Sequence, residues 1–238
     1  MANILISTHS SKETGINFRK IPTCLAIWIV ENKKADAGYL WMVMRGLAVS
    51  GRYELDIDEL CGITGYNTPK VKRLLKWLQK SWWINQNEGH IYLISAKRVC
   101  KSLNLVGVSS ARYYFLDQCP FEEFCVAVGI ETLKRSLVSS IIAGEKRASI
   151  HRDGVSNSLI AKQFGRSKPW AIKWKYRAQR AGALRTERRF LDTGLKVEEL
   201  WEMRSQLSDE IKTMVIHRGL VRICRSNYIK TEVEVCRF

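Results

Sequence analysis

The chain has 238 residues, 39 Lys+Arg against 23 Asp+Glu, and a formal charge of +16. Its 46% hydrophobic and 26% charged residues are ordinary for a globular protein, which excludes a disordered chain. A cationic surplus of this size points to a polyanionic partner, either nucleic acid or an anionic membrane. Residues 1–8 lack a basic segment followed by a long apolar one, so no signal peptide is expected. The longest apolar run, residues 24–30, is too short for a bilayer, which takes about 20 residues.

In chain order, residues 4–8 read as a strand or extended arm. Residues 18–22 are extended, because the residue before a proline avoids the α region. Residues 25–31 fit either a short helix or a buried strand. Residues 39–49 carry Leu40, Val43, Met44 and Leu47 at helical spacing. Asp56 can cap a short helix over 57–61, which runs into Gly62-Ile63-Thr64-Gly65. Asn67 caps the next helix, with Pro69 in the first turn, where its missing N–H costs nothing. That helix has Val71, Leu74, Leu75 and Leu78 on one face and lysines and arginine on its other sides. Two alternating segments, 83–86 and 90–94, then flank Asn87-Glu88-Gly89 as a hairpin.

Helix, short helix, turn, longer helix and hairpin is the winged-helix order. The same order returns 100 residues later. Leu60 meets Ile160, Gly65 meets Gly165, Asn67 meets Ser167 and Pro69 meets Pro169, without a gap. Val71 meets Ala171, Leu74 meets Trp174, Leu78 meets Ala178 and Ile84 meets Leu184. Between the copies lie an expected linker, 97–110, and a helical region in two pieces, 121–128 and 130–143, as the second copy's leading helix. Residues 195–217 read as one long amphipathic helix, and 221–223 and 229–235 as strand-like pieces. The expected fold class is therefore mostly α with small β-hairpins (α+β). It comprises two winged helix-turn-helix units, over 1–98 and 99–238, joined by a linker, plus a long C-terminal helix.

The charge is uneven. Residues 146–190 hold 13 basic and 2 acidic side chains, while residues 191–238 are balanced at 8 and 8. The second helix-turn-helix concentrates Lys162, Arg166, Lys168, Lys173, Lys175, Arg177 and Arg180, and Arg185, Arg188 and Arg189 follow in the place of a wing strand. Cations that neutralise phosphates release condensed counterions, and a recognition helix presents side chains to base edges. On that logic Lys168, Trp170, Ile172, Lys173 and Arg177 face a groove, capped by Ser167. Lys162 and Arg166 hold phosphates, and the three wing arginines follow the backbone or minor groove. Trp174 matches core Leu74 and is expected to pack. In the first copy Thr68, Lys70, Lys72, Arg73 and Lys76 are the equivalent candidates. Glu54, Asp56, Asp58 and Glu59 precede them, so that copy fits either DNA binding or protein docking, and the second is expected to dominate affinity.

Catalytic patterns are lacking. Gly144-Glu145-Lys146 is not a phosphate-binding P-loop, and His9, His90, His151 and His217 have no metal-ligand spacing. The basic segment offers only Asp153 and Glu187 as acids, too few for a two-metal nuclease. Cys24, Cys61, Cys100, Cys119, Cys125, Cys224 and Cys236 form no C-x-x-C pair and read as reduced, mostly core-filling thiols in a reducing, cytoplasmic setting. No metal, cofactor or enzymatic activity is expected.

The run Phe18-Arg19-Lys20-Ile21-Pro22, followed by a helix, then Asp58-Glu59-Leu60-Cys61 and Thr68-Pro69-Lys70-Val71-Lys72-Arg73-Leu74-Leu75-Lys76-Trp77-Leu78, resembles tandem winged-helix DNA-binding proteins of plasmids, phages and other mobile elements, of the replication-initiator and replisome-organiser type. The resemblance covers about two-thirds of the chain at fold level. It implies duplex DNA, at an origin or operator, as the partner of one or both units, with one often used for dimer contacts. Replication initiation, transcriptional regulation with the same fold, and a DNA-nicking or recombination enzyme are the functions it leaves open. The corresponding partners beyond DNA are a second copy and the replication or transcription machinery, in the nucleoid.

Overall fold

The computed structural model describes residues 19–48, 50–105, 110–114, 119–142, 155–192, 194, 214–217, 220–231 and 235–237. Among them are eight helices and three small antiparallel sheets of three strands each, an α+β arrangement. The expected arm over 4–8 lies outside the described residues. Packing divides the chain into two units, Met1–Leu25 with Lys34–Phe121 and Val235–Phe238, and Ala26–Lys33 with Glu122–Glu234. A single division after residue 98 was expected from sequence. The packing units instead extend the first through Phe121, assign Ala26–Lys33 to the second and return Val235–Phe238 to the first.

In the first unit β1 (Arg19–Pro22) pairs with β5 (Ser110–Tyr114), which pairs with β9 (Val235–Arg237). Helix α2 (Ala35–Leu47) supplies buried Leu40, Trp41, Val43 and Met44. Helix α3 (Ile57–Thr64) begins where the Asp56 side chain accepts from the N–H groups of Asp58 and Glu59, both at 2.9 Å, and it ends at Gly65 with φ +69°. Asn67 then caps α4 (Thr68–Lys80) by accepting from Lys70 N–H at 3.0 Å. Strands β3 (Ile84–Asn87) and β4 (His90–Leu93) are joined by Glu88-Gly89, both at positive φ, the two-residue turn whose twist matches that of the strands. β2 (Arg52–Glu54) adds a third strand on the far side of β4, beyond the two expected. Trp41, Trp77 and Trp83 meet edge to face at ring distances of 5.1 and 5.6 Å, and Trp41 and Trp83 are fully buried.

The stretch expected as a linker over 97–110 is in part a helix, α5 (Ala96–Ser102), capped by Ser95. Val99 and Cys100 are buried, which explains why this polar-looking segment folds.

The second unit takes most of α1 (Thr23–Glu31), so residues 25–31 form a helix. It is followed by α6 (Phe121–Ile142), α7 (Asn157–Gln163) and α8 (Lys168–Arg180). The two helical pieces expected on either side of Gly129 are one helix. Residues 123–131 are buried without a break around it, the mark of a helix enclosed on every face. Strands β6 (Leu184–Asp192), β7 (Met214–His217) and β8 (Leu220–Thr231) form the third sheet, in the order β6-β8-β7. The long helix expected over 195–217 therefore does not reach its end. Residues 214–217 are strand, favoured by β-branched Val215 and Ile216 pairing with Arg222 and Val221, and residues 195–213 lie outside the described residues.

The offset of 100 extends to the backbone. The caps Asn67 and Ser167 have φ, ψ of −77°, 156° and −76°, 156°. At the helix ends Trp83 N–H donates to Leu78 O at 2.9 Å and Ala183 N–H to Ala178 O at 3.0 Å. Trp82 and Gly182 donate to Gln79 and Gln179, both at 3.1 Å. This is the left-handed helix stop that glycine normally occupies, with φ +76° at Gly182 and +59° at Trp82. Trp82 is 74% exposed, so little packing holds it there. Trp82→Gly is expected to stabilise the protein by about 0.5–1 kcal/mol, by removing Cβ strain that outweighs glycine's entropy. A lowered urea midpoint in the variant would disprove it.

Candidate nucleic-acid interface

Most of the site candidates lie on two helices at equivalent places in the chain, and each helix turns one face inward and its cations outward. On α4 the buried positions are Val71, Leu75 and Leu78; on α8 they are Ala171, Trp174 and Ala178. The opposite faces are exposed. In the first unit that face carries Lys72, Arg73, Lys76 and Lys80, and in the second Ile172, Lys173, Tyr176 and Arg180, at matching positions. Lys168 and Lys162 are exposed nearby, at the start of α8 and on α7. Lys72, Lys76, Lys80, Lys162, Lys168, Lys173 and Arg180 have no ion-pair partner among the described residues.

Several predicted site residues do other work. Lys70 pairs with Asp36 at 2.9 Å and lies over the Tyr66 ring at 3.6 Å, while Tyr66 Oη donates to Asp36 at 2.7 Å. Burial opposes ionisation of Asp36, but hydrogen bonds from Lys70 and Tyr66 and the charges of Lys70 and Arg73 outweigh it, holding the carboxyl below its usual range. Thr68 is half-buried, its Oγ1 3.8 Å from Cys61 Sγ. Arg166, expected on phosphate, donates through Nη2 to the carbonyls of Val30 at 3.1 Å and Glu31 at 2.6 Å. It thereby satisfies the last turn of α1, where a cation also complements the helix dipole. Glu31 beside it is pushed up by burial, with the Arg166 charge acting against that shift.

Arg177, expected to face a groove, sends Nε and Nη2 to Glu123 Oε1 at 2.8 and 2.6 Å. Its guanidinium also stacks over Trp174 at 4.1 Å. Glu123 is 4% exposed, so Arg177 is its counter-charge. Trp170 is half-buried between Phe164 and Trp174, with ring distances of 5.4 and 5.8 Å, and belongs to the edge of the packing. Trp174 is buried as expected, whereas Leu74, its match in the first copy, is only half-buried and Leu75 takes the core position there. Ser167 accepts from Trp170 N–H at 3.4 Å as the helix cap. Arg185 is exposed at the start of β6. Arg188 and Arg189 lie in β6 at a register shift, Arg189 opposite Arg225, and their side chains lie outside the described residues.

The structure thus redraws the charge map. The segment count favours the second copy, but two of its cations are structural. Tyr176, 60% exposed at the centre of the α8 face, was only an interleaved aromatic in the sequence. Helical spacing from buried Trp174 and Ala178 would have placed it outward.

Away from these faces, an open groove of about 860 Å³ in the first unit is lined by Arg52, Tyr53, Glu54, Asp56, Glu59 and His90, among others. Two of its acids are engaged: Asp56 caps α3, and Glu59 accepts from Tyr53 Oη at 2.6 Å. Among the described residues no group of three or more His, Cys, Asp or Glu could hold a metal ion, and no helix is long and apolar enough to cross a membrane. No family model, curated protein or solved structure matches the chain.

Proposed function

We propose that the protein binds duplex DNA through two winged-helix units, reading sequence with α4 and α8, and serves as a replication initiator of a mobile element. The observation that carries this reading is the doubling. Two helices, 100 residues apart, share cap, first-turn proline, helix stop and the buried positions 71/171 and 78/178, and both turn a cationic face outward. A helix stripped of acids on its outer face and followed by a strand suits the major groove, with phosphates meeting Lys and Arg around the contact. Ile172 and Tyr176 among the cations offer apolar contact to base edges, such as thymine methyl groups. The process rests on the resemblance of residues 18–22 and 58–78 to initiators of mobile elements. A transcriptional regulator would use the same surface, and selection of bound genomic fragments separates the two by returning repeated origin sites or promoter operators.

The exposed cations of the two helices are comparable in number, so both contribute to affinity. Lys72→Glu with Lys76→Glu, and Lys168→Glu with Lys173→Glu, are each expected to flatten the slope of log K against log salt by about 2 units. Fluorescence anisotropy on duplex DNA between low and physiological salt measures it. A wild-type slope near zero would overturn the DNA reading, whereas a loss confined to one pair would reduce the interface to a single helix.

A further inference from the structure

A pair of thiols belongs to the first unit and to neither of the two candidate helices. Cys24, in the first turn of α1, and Cys100, in α5, are 76 residues apart in sequence, yet their Sγ atoms are 3.8 Å apart. Cys100 is fully buried, while Cys24 is partly exposed. Cys24 is therefore the more accessible of the two residues to a small reagent, with the Cys100 sulfur in contact distance of its own. We propose that Cys24 and Cys100 form a peroxide-driven, reversible disulfide, with Cys24 the attacking thiol and Cys100 the resolving one.

The geometry suits each step. An S–S bond of about 2.05 Å requires the sulfurs to close by less than 2 Å, within the range of side-chain rotation. The hydrogen bond with Cys100 lowers the Cys24 thiol to about 7; burial opposes this shift, and the backbone N–H of Leu25 assists it. The thiolate, the reactive form, is thus available near neutral pH. Cys100 is pushed up by the same hydrogen bond, with burial adding to it, and stays a thiol until it is needed. The Cys24 thiolate attacks one oxygen of hydrogen peroxide; the O–O bond breaks and hydroxide leaves, taking up a proton to become water. Cys24 is then a sulfenic acid. The Cys100 sulfur attacks the Cys24 sulfur, the S–O bond breaks, and hydroxide departs with the Cys100 proton as a second water. Two thiols are oxidised and one peroxide is reduced to two waters. A small thiol such as glutathione reverses the bond by exchange.

The test treats the full-length protein with equimolar hydrogen peroxide, blocks remaining thiols by alkylation and maps tryptic peptides by mass spectrometry. The expected product is one linked pair, the peptides carrying Cys24 and Cys100, formed before oxidation at Cys61 and lost on adding glutathione. In Cys100→Ser the expected product is a sulfenic acid at Cys24 that dimedone captures. Oxidation of another cysteine ahead of Cys24, or a Cys24 that stays reduced in the wild-type protein, would overturn the proposal.

Discussion

Arg177→Ala is expected to destabilise the second unit by about 2–3 kcal/mol, because it strands a buried carboxylate. Glu123 is 4% exposed, and both contacts from Arg177 converge on its Oε1, at 2.8 and 2.6 Å. Breaking a fully buried pair costs about 3–5 kcal/mol, and the lower figure here reflects the 47% exposure of the Arg177 side chain, which lets water approach once it is gone. The same truncation removes the guanidinium from the Trp174 ring. Glu123→Gln is the contrasting variant. It removes the buried charge together with the need for a partner, and Arg177 can turn to solvent, so the loss should stay below about 1 kcal/mol. Urea denaturation of both variants decides the matter. Equal losses would mean that Arg177 and Glu123 contribute as an ordinary surface pair. The result also bears on the proposed DNA interface: a charge reversal at Arg177 would weaken any binding by unfolding the unit, so Lys168 and Lys173 are the residues to test.

Gly129→Ala should cost about 2 kcal/mol although alanine is the better helix former by about 1 kcal/mol. A Cβ at residue 129 would lie 2.3 Å from Phe164 Cζ and 2.9 Å from Cε1. Phe164 is 1% exposed and packs on Trp170, so the ring has no free space to enter. Phe164 follows α7 and helps set the turn into α8, and the methyl would push against the element that aims the candidate reading helix. Phe164→Leu in the Gly129→Ala background should recover part of the loss. A thermal melt of Gly129→Ala at or above the wild-type midpoint would show that α6 and Phe164 do not approach this closely.

These two sites illustrate which features could be read along the chain. The caps Asp56, Asn67 and Ser167, the prolines at 69 and 169 and the turn at Glu88-Gly89 all act within a few residues of themselves, and spacing alone placed them. The α+β class and the repeat at an offset of 100 followed from the same local rules. Glycine at 129 looked like a break between two helices, because its reason for being there is a ring 35 residues away. The segment around 96–102 looked like a linker, because only burial of Val99 and Cys100 shows it to be a helix.

Net charge told of cations but not of their engagements. Whether a guanidinium meets a phosphate or a protein oxygen depends on which acceptors the fold brings within about 3 Å, and those come from distant sequence. Arg166 finds the carbonyls of residues 30 and 31, and Arg177 finds Glu123. The chain's composition and periodicity point to the kind of partner proposed and set the two helices that could meet it. Tertiary packing decided which cations are left on those helices, because only burial assigns a charge to the interior or to water.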